Sequence, residues 1–287
     1  MNYPKDHLNF MQESCYFDLS NYSLMQLKGT QAVQLMHNMT TADFNLIDQS
    51  TAIFTALCQP NGKVTSSGWC FFIGQDLHWL IPNTMVQSTI KSITPYAMLS
   101  KVSCTHQPDW SIYGLLVESP IHSVNQSPEH IQISITPRHA VRLQKQAITA
   151  NKDQAHWRHE LHTENLALIH PQTQASFTPI QLNYGNWSAI SLTKGCYLGQ
   201  EIVNRLVTKG RQSHQLIYAQ IADIHIEPND PLHYQGKVMG SIISVGRYNQ
   251  QQSLLASVHH KVCHLDQLTM NDQPLHAIRS VALHQHR

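Results

Sequence analysis

Three apolar runs stand close together between Thr51 and Pro82, in the stretch TAIFTALCQPNGKVTSSGWCFFIGQDLHWLIP. The turn sequences PNG and GQD separate the runs, and Asn-Gly is a strong signal for a two-residue hairpin turn of type I′. Strands joined by such short turns pair as antiparallel neighbours. The stretch therefore predicts an antiparallel β-meander with a type I′ turn at Asn61-Gly62.

Strands and helices mix around this meander without a regular pattern. The segment FDLSNYSLMQLKGTQAVQLMHNMTTADF passes from an alternating run into a helical one, in which Leu35, Met36 and Met39 share a face. TMVQSTIKSITPYAML predicts a helix up to Pro95, and SIYGLLVES predicts another strand. After Gly210, short strands separated by turn residues predict a small all-β barrel or sandwich. The lack of βαβ alternation favours an α+β fold over a doubly wound sheet.

Charge and cysteine content limit the classes of partner and compartment. The 287 residues contain 19 Lys and Arg against 18 Asp and Glu, so the net charge of +1 creates no global attraction to nucleic acid or anionic membranes. No segment approaches the ~18 apolar residues of a membrane span, and the start MNYPKDHLNFMQES lacks a signal-peptide pattern. The six cysteines form no CxxC pair or zinc-type spacing. We expect a cytoplasmic protein with reduced thiols and no membrane contact.

Two local features leave alternatives open. Residues 138–160 contain five Lys or Arg and two acidic residues, an excess of three positive charges. This excess is compatible with a solvated helix face or with a face that contacts RNA. The segment HWRHELH places His156, His159 and His162 three residues apart, but it lacks the HExxH arrangement of helical zinc sites. Because no RNA-binding motif is present either, we expect neither direct nucleic-acid binding nor a permanently bound metal.

The octapeptide KGCYLGQE places Cys196 directly before a predicted helix over residues 199–208. A helix N-terminus and the nearby Lys194 both favour a thiolate over a thiol, whereas Glu201 opposes it. The alternative is that Cys196 is a small buried side chain in a tight turn. These residues alone do not decide between a functional and a structural cysteine.

The same octapeptide resembles the K-G-C-Y-x-G-Q-E signature of the YgfZ family of folate-binding proteins, relatives of the glycine-cleavage T-protein (GcvT). The matching residues are Lys194, Gly195, Cys196, Tyr197, Gly199, Gln200 and Glu201. Three further segments resemble family elements: FTPIQLNYGNWSAIS before the signature, LKGTQAVQLMHNMTTAD near the start and GKVMGSIISV near the end. The likeness spans about residues 15–265.

The resemblance implies an α+β, GcvT-like three-lobed folate-binding fold with a small C-terminal β-barrel. We expect two folate-binding lobes in residues 1–208 and the barrel in residues 209–287. The implied function is that of an accessory factor for the assembly or repair of iron-sulfur enzymes, including radical enzymes that methylthiolate tRNA. Its implied cofactor is tetrahydrofolate or a derivative, its partners are folate and those iron-sulfur proteins, and its functional thiol is Cys196. The sequence leaves open whether this thiol ligates iron or acts in redox protection.

Tyr22 and Trp157 fall where the family places its folate-contacting aromatic residues. Each ring offers a surface on which a pteridine or aminobenzoyl ring can stack, although both residue types are also common in cores. The resemblance therefore predicts Tyr22 and Trp157 as folate ligands.

The chain departs from the T-protein at two places. Ser66 and Ser67 follow the Gly62 turn where the T-protein has an aspartate that acts in one-carbon chemistry, and a serine cannot supply the charge of a carboxylate. We therefore expect a folate-binding factor without catalytic activity, and keep a folate-dependent aminomethyltransferase as the alternative. The family's glycine-proline turn is replaced by Asn165, Leu166 and Ala167. This replacement leaves one wall of the folate site undefined.

Overall fold

The computed structural model describes residues 15–208 and 213–281, which form two five-stranded sheets, one seven-stranded sheet and four α-helices. The helices are α1 (Ala32–Met39), α2 (Asn83–Leu99), α3 (Gln154–Thr163) and α4 (Gln200–Thr208). The strands are β1 (Tyr16–Asp18), β2 (Tyr22–Lys28), β3 (Ile53–Cys58), β4 (Val64–Ile73), β5 (Asp76–Pro82), β6 (Ser103–Gln107), β7 (Ser111–Leu116), β8 (Val124–Gln126), β9 (His130–Thr136), β10 (His139–Gln144), β11 (His214–Ile221), β12 (Pro231–Tyr234), β13 (Lys237–Tyr248), β14 (Gln251–His259), β15 (Thr269–Met270), β16 (Gln273–Pro274) and β17 (His276–Val281). Within these residues, no helix is long and apolar enough to cross a bilayer.

The first sheet contains the predicted meander. Its strand order is β3-β4-β5-β2-β6, all antiparallel, which confirms the three consecutive strands. The predicted type I′ turn is wrong, because such a turn needs positive φ at two residues and only Gly62 has it (φ +75°). Pro60 extends the loop to three residues, since the Gln59 N–H donates to the Lys63 carbonyl at 2.8 Å. The proline ring fixes φ near −65°, so the change of direction falls on the glycine.

Helix α2 packs against this sheet and continues beyond its predicted end. Pro95 lies inside the helix, which ends at Leu99. The missing N–H of Pro95 costs one helical hydrogen bond. The last turn is nevertheless held, because Ala97 is buried and its carbonyl accepts a bond from the Val102 N–H at 2.8 Å. Tertiary packing here outweighs the local preference of proline.

The second sheet has the order β1-β7-β10-β9-β8 and includes the first part of the basic stretch, in β10. Residues 138–160 are therefore not one helix: they pass from β10 through a loop into α3. Arg142 in β10 donates hydrogen bonds to the Tyr16 hydroxyl and to Gln132 Oε1, each at 3.0 Å. The expected single basic helix face is thus wrong, because its charges are divided between a strand, a loop and a helix.

The third sheet forms a curled half-barrel with the order β16-β15-β12-β13-β14-β11-β17. One face packs around its own apolar core, which includes Leu232, Leu254 and Met270. The sheet also contacts α3 closely, because a Cβ on Gly246 of β13 would lie 2.4 Å from the His159 backbone nitrogen. The α+β class with a C-terminal curled sheet is as expected. The domain boundary at residue 208 stays a prediction, and residues 209–212 lie outside the described part of the chain.

Candidate functional site

Cys196 lies in the loop before α4 and its side chain is exposed. The alternative of a small buried cysteine in a tight turn is therefore wrong. Helix α4 begins at Gln200 and ends at Thr208, so it starts one residue after the predicted position. None of the described residues makes a hydrogen bond or an ion pair with the Cys196 thiol. The loop thus presents a free thiol to solvent at a helix N-terminus.

Lys194 fixes the start of this loop by reaching across the fold. Its buried ammonium donates to the backbone carbonyls of His37, of Thr40 at 2.5 Å and of Ala42 at 2.8 Å. These carbonyls lie at the C-terminal end of α1, where a helix leaves acceptors without partners. Burial lowers the pKa of Lys194 to about 8, partly opposed by the Asp43 carboxylate, so the ammonium stays charged at pH 7. The three donors of Lys194 serve backbone carbonyls, and its expected effect on the Cys196 thiol stays a prediction.

Backbone contacts tie the same loop to the residues after α1. The Ser191 N–H donates to the Thr41 carbonyl at 2.9 Å, and the Thr41 hydroxyl donates to the Ala189 carbonyl at 2.5 Å. The Lys194 N–H in turn donates to Ser191 Oγ at 3.2 Å. Two segments about 150 residues apart, both singled out by the family resemblance, therefore form one unit.

Tyr197 points into the protein on the other side of Cys196. Its ring is buried and lies 5.0 Å from the Lys194 ammonium, in a cation-π arrangement. Burial raises the pKa of the Tyr197 phenol, with a smaller contribution from Cys58. The Tyr197 hydroxyl has no hydrogen-bond partner among the described residues. Lys194 and Tyr197 thus hold both neighbours of the Gly195-Cys196 pair while the thiol itself stays outside.

Gly199 closes the loop against the β3-β4 hairpin. It has a φ of +83°, and a Cβ there would lie 2.5 Å from the Gln59 carbonyl oxygen and 3.1 Å from the Gly62 Cα. Only glycine fits both this backbone conformation and this approach. Gly195, by contrast, has no positive φ, and an added Cβ would meet none of the described atoms within 4 Å. The two signature glycines therefore differ in their structural roles.

The remaining signature residues shape the loop from the helix side. The Gln200 side-chain amide lies 3.4 Å from the Gly195 carbonyl and 3.5 Å from the Lys194 carbonyl, which closes the loop onto the first turn of α4. Glu201 is exposed in that same turn. An acidic residue near a helix N-terminus interacts favourably with the helix dipole.

Tyr22 and Trp157, the predicted folate ligands, lie next to each other. Burial raises the pKa of the Tyr22 phenol to about 12, and Arg158 and then the Trp157 side chain act in the opposite direction. Trp157 is only 1% exposed and packs on Gly114, where a Cβ would lie 2.5 Å from its ring. Their contact with folate stays a prediction. Tyr22 is buried as well, so in this conformation neither ring offers a ligand an open stacking surface.

Ser66 and Ser67, the residues in place of the T-protein carboxylate, are buried on β4 and held by internal hydrogen bonds. Ser66 bonds the Thr89 hydroxyl. Ser67 Oγ accepts the Tyr184 hydroxyl at 2.8 Å and the Ile169 N–H at 3.0 Å. These hydroxyls therefore support the core and offer no basic group.

The segment that replaces the family's glycine-proline turn ends helix α3. Asn165 has a φ of +62°, and its N–H donates to the His162 carbonyl at 2.9 Å. Asparagine tolerates this left-handed conformation, in which glycine usually ends helices. Leu166 and Ala167 then enter the core. In place of the family's glycine-proline turn, this chain therefore has a left-handed asparagine followed by buried apolar residues.

A cavity of about 560 Å³ lies between α3 and the third sheet. Arg158 lines it from α3, His170 from the following loop, and Asp223, Arg247 and Gln252 from the sheet side. Cavities of about 300–1,000 Å³ are typical of small-molecule sites. Because Arg158 directly follows Trp157 in α3, the cavity begins beside the aromatic pair. Cys196 does not line this cavity, so the thiol and the cavity are separate features.

The three histidines of α3 serve the contact with the third sheet. His162 is buried, with its Nδ1 2.9 Å from Ser253 Oγ and its Nε2 2.9 Å from Ser244 Oγ. His159 shares Ser253 Oγ at 3.0 Å, whereas His156 stacks on Tyr248 with ring centroids 4.3 Å apart. Among the described residues, no group of three His, Cys, Asp or Glu side chains is arranged to hold a metal.

Sequence reasoning missed two sets of residues in these sites. Thr40 and Ala42, which accept the bonds from Lys194, lie inside a segment already quoted for its family resemblance, so a signal existed. Asp223 and Gln252 carry no local signal, because only the packing of α3 on the third sheet brings them to the cavity.

The chain has relatives among known proteins. No model of a protein family matches the chain. A protein of Haemophilus influenzae described as uncharacterized is 26% identical over 212 residues, covering 72% of this chain and 74% of that protein. The tRNA-modifying protein YgfZ of Colwellia psychrerythraea is 23% identical over 232 residues, with coverage of 72% and 71%. That of Yersinia pseudotuberculosis is 23% identical over 227 residues, with coverage of 70% and 69%.

The fold has a counterpart among solved structures. The crystal structure of the glycine cleavage system aminomethyltransferase T from Bartonella henselae superposes with a TM-score of 0.66 at 11% identity, covering 93% of this chain and 84% of that one. An identity this low establishes the fold and not the activity. Together with the sequence relatives, it confirms the predicted resemblance: the chain is a homologue of the YgfZ proteins and has a GcvT-like fold.

Proposed function

We propose that this protein is a folate-binding accessory factor for the assembly or repair of iron-sulfur enzymes, including those that methylthiolate tRNA. The observation that carries the proposal is the exposed Cys196 thiol on a loop fixed by Lys194, Tyr197 and Gly199. A loop held this firmly around one exposed residue is suited to present that residue to a partner. The name of the relatives, tRNA-modifying protein, supports the same role.

The burial of Cys58 and Cys70 and the place of Cys196 in the signature favour Cys196 as the functional thiol. Burial raises the pKa of Cys58 to about 12 and that of Cys70 well above its usual value, so both thiols stay protonated and unreactive. Cys196 and Cys263 are the exposed cysteines, and only Cys196 belongs to the signature. A thiolate can bond iron or reduce an oxidised group, but an iron-sulfur cluster needs about four such ligands. We therefore assign the remaining ligands to the client protein, with the cluster as cargo.

The chain offers residues that fit a folate. Tyr22 and Trp157 supply two buried aromatic rings, Arg158 supplies a cation next to Trp157 in α3, and the cavity of about 560 Å³ supplies the volume. When bound, tetrahydrofolate provides a pterin ring able to exchange electrons and carry one-carbon groups. The role of the chain is to bind and orient that ring and to shield it from water. A direct test is titration of 5-formyltetrahydrofolate with detection by tryptophan fluorescence, in which Tyr22→Ala should weaken binding and Tyr96→Ala, an exposed tyrosine on α2, should not.

The buried serines argue against the alternative function. An aminomethyltransferase needs a group able to take or give a proton beside the folate, as a carboxylate does. Ser66 and Ser67 lack that basicity, and their hydroxyls are already bonded to Thr89 and Tyr184. We therefore propose binding without aminomethyl transfer.

The experiment for the thiol uses a strain that lacks its own YgfZ homologue. Wild type, Cys196→Ser and Cys263→Ser are expressed at equal levels, and methylthio-adenosine in tRNA is measured by mass spectrometry. We expect wild type and Cys263→Ser to restore the modification and Cys196→Ser to fail. Equal restoration by all three would reject the role of Cys196, and failure of wild type would reject the proposed function.

A further inference from the structure

We propose that the cavity between α3 and the third sheet recognises the glutamyl part of the folate, with Arg158 binding a glutamyl carboxylate and Gln252 accepting the amide N–H. This inference rests on the proposed folate binding and assigns a specificity to that site. It predicts that the charge of the glutamyl group, and not only the pterin ring, determines affinity.

Arg158 is the unneutralised cation of the cavity. Its Nε–H donates to the Val245 carbonyl at 2.8 Å, which fixes the guanidinium on β13. Within the described residues, its two Nη groups have no hydrogen-bond acceptor and no carboxylate lies within 4.0 Å of them. Arg247, by contrast, already pairs with Asp223 at 2.7 Å. The free fork of Arg158 is the geometry that binds a carboxylate with two parallel hydrogen bonds.

Gln252 supplies the acceptor beside it. Its side chain is only 4% exposed, and its Nε2 donates to Asp223 Oδ1 at 3.2 Å. The Gln252 Oε1 atom is buried without a hydrogen-bond partner among the described residues. A buried acceptor without a donor costs about 1–3 kcal/mol, so it favours a ligand that brings an N–H.

The two groups together select a ligand with an anion close to an N–H donor. His170 adds no charge at pH 7, because burial, and next Arg158, lower its pKa to about 4. The glutamyl unit of folate carries carboxylates beside an amide N–H, whereas the pterin ring carries no anion. Arg158 directly follows Trp157 in α3 and lines the cavity, so the tail of a folate held beside the aromatic pair would extend toward Arg158.

The test compares 5-formyltetrahydrofolate with its diamide, in which both glutamyl carboxylates are carboxamides, by calorimetric titration. Charge-assisted hydrogen bonds imply that wild type binds the acid about tenfold to a hundredfold more tightly than the diamide. Arg158→Gln should bind both forms with the weaker affinity, which removes the preference. Gln252→Leu should weaken both forms by a similar factor and keep the preference. Arg205→Gln, on the exposed face of α4, is the charge-matched control and should behave as wild type.

The outcomes separate the two proposals. If wild type binds neither form, folate binding itself is rejected and the inference falls with it. If wild type binds both forms equally, or if Arg158→Gln keeps the preference while retaining a native circular dichroism spectrum, the glutamyl assignment is overturned and folate binding stands. If Gln252→Leu leaves both affinities unchanged, the amide contact is overturned.

Discussion

The two glycines of the signature loop give the sharpest test of how the loop is built. Replacing Gly199 by Ala places a Cβ 2.5 Å from the Gln59 carbonyl oxygen, at a φ of +83°. The left-handed conformation costs an alanine about 1–2 kcal/mol. The overlap with a backbone atom, which cannot rotate away, adds about 1–3 kcal/mol. We therefore expect Gly199→Ala to lower the free energy of unfolding by about 2–5 kcal/mol.

Gly195→Ala is the matched control in the same loop, because its Cβ would point into open space and its φ is not positive. Its expected change lies within about 0.5 kcal/mol. Urea unfolding of both variants measures the free energies. The rate of Cys196 modification by a thiol reagent, in a Cys263→Ser background, reports the loop conformation. Equal destabilisation by the two substitutions, or none at Gly199, would refute the reasoning.

Three further perturbations test other parts of the account. Lys194→Met should lower the free energy of unfolding by about 3–5 kcal/mol in urea, because buried carbonyls lose a charged donor. The control Lys28→Met, at an exposed position, should change it by no more than about 0.5 kcal/mol. Gly114→Ala should cost about 1–3 kcal/mol by overlap with the Trp157 ring, and an unchanged urea midpoint would contradict that packing. The pKa of His170, about 4 when folded against 6.5 unfolded, means that the unfolded chain binds more protons between these values. The contribution of His170 to the free energy of unfolding, about 3 kcal/mol, is therefore fully present above pH 6.5 and is lost as the pH falls toward 4. If the free energy of unfolding falls with pH equally steeply in wild type and His170→Gln, this prediction is contradicted.

Local pattern was enough to predict the elements that carry the thiol. The meander and helix α4 are visible in the sequence because their apolar spacing and turn residues are short-range signals. Resemblance to the family singled out the segment around Thr41 and the loop around Cys196, which the structure brings into contact. It did not reveal that Lys194 joins them, since that contact crosses about 150 residues.

Two of the predictions that were wrong, the end of α2 and the type of the hairpin turn, failed for the same physical reason. Pro95 does not end α2 because buried Ala97 holds the next turn, and the hairpin loop is longer than predicted because Pro60 belongs to it. The close packing of Trp157 on Gly114 was equally hidden, since nothing in either local sequence marks the approach. Each outcome depends on a neighbour that is distant in sequence, which periodicity and propensity do not encode.

The central claim is that the Cys196 thiol acts on the iron-sulfur cluster of a client enzyme. The most direct measurement exposes a purified radical tRNA-methylthiolating enzyme to air and follows its cluster absorbance and its activity, with wild type, Cys196→Ser or Cys263→Ser present in excess. The account predicts that wild type and Cys263→Ser preserve or restore the cluster and that Cys196→Ser does not. Equal preservation by Cys196→Ser, or none by wild type, would contradict it.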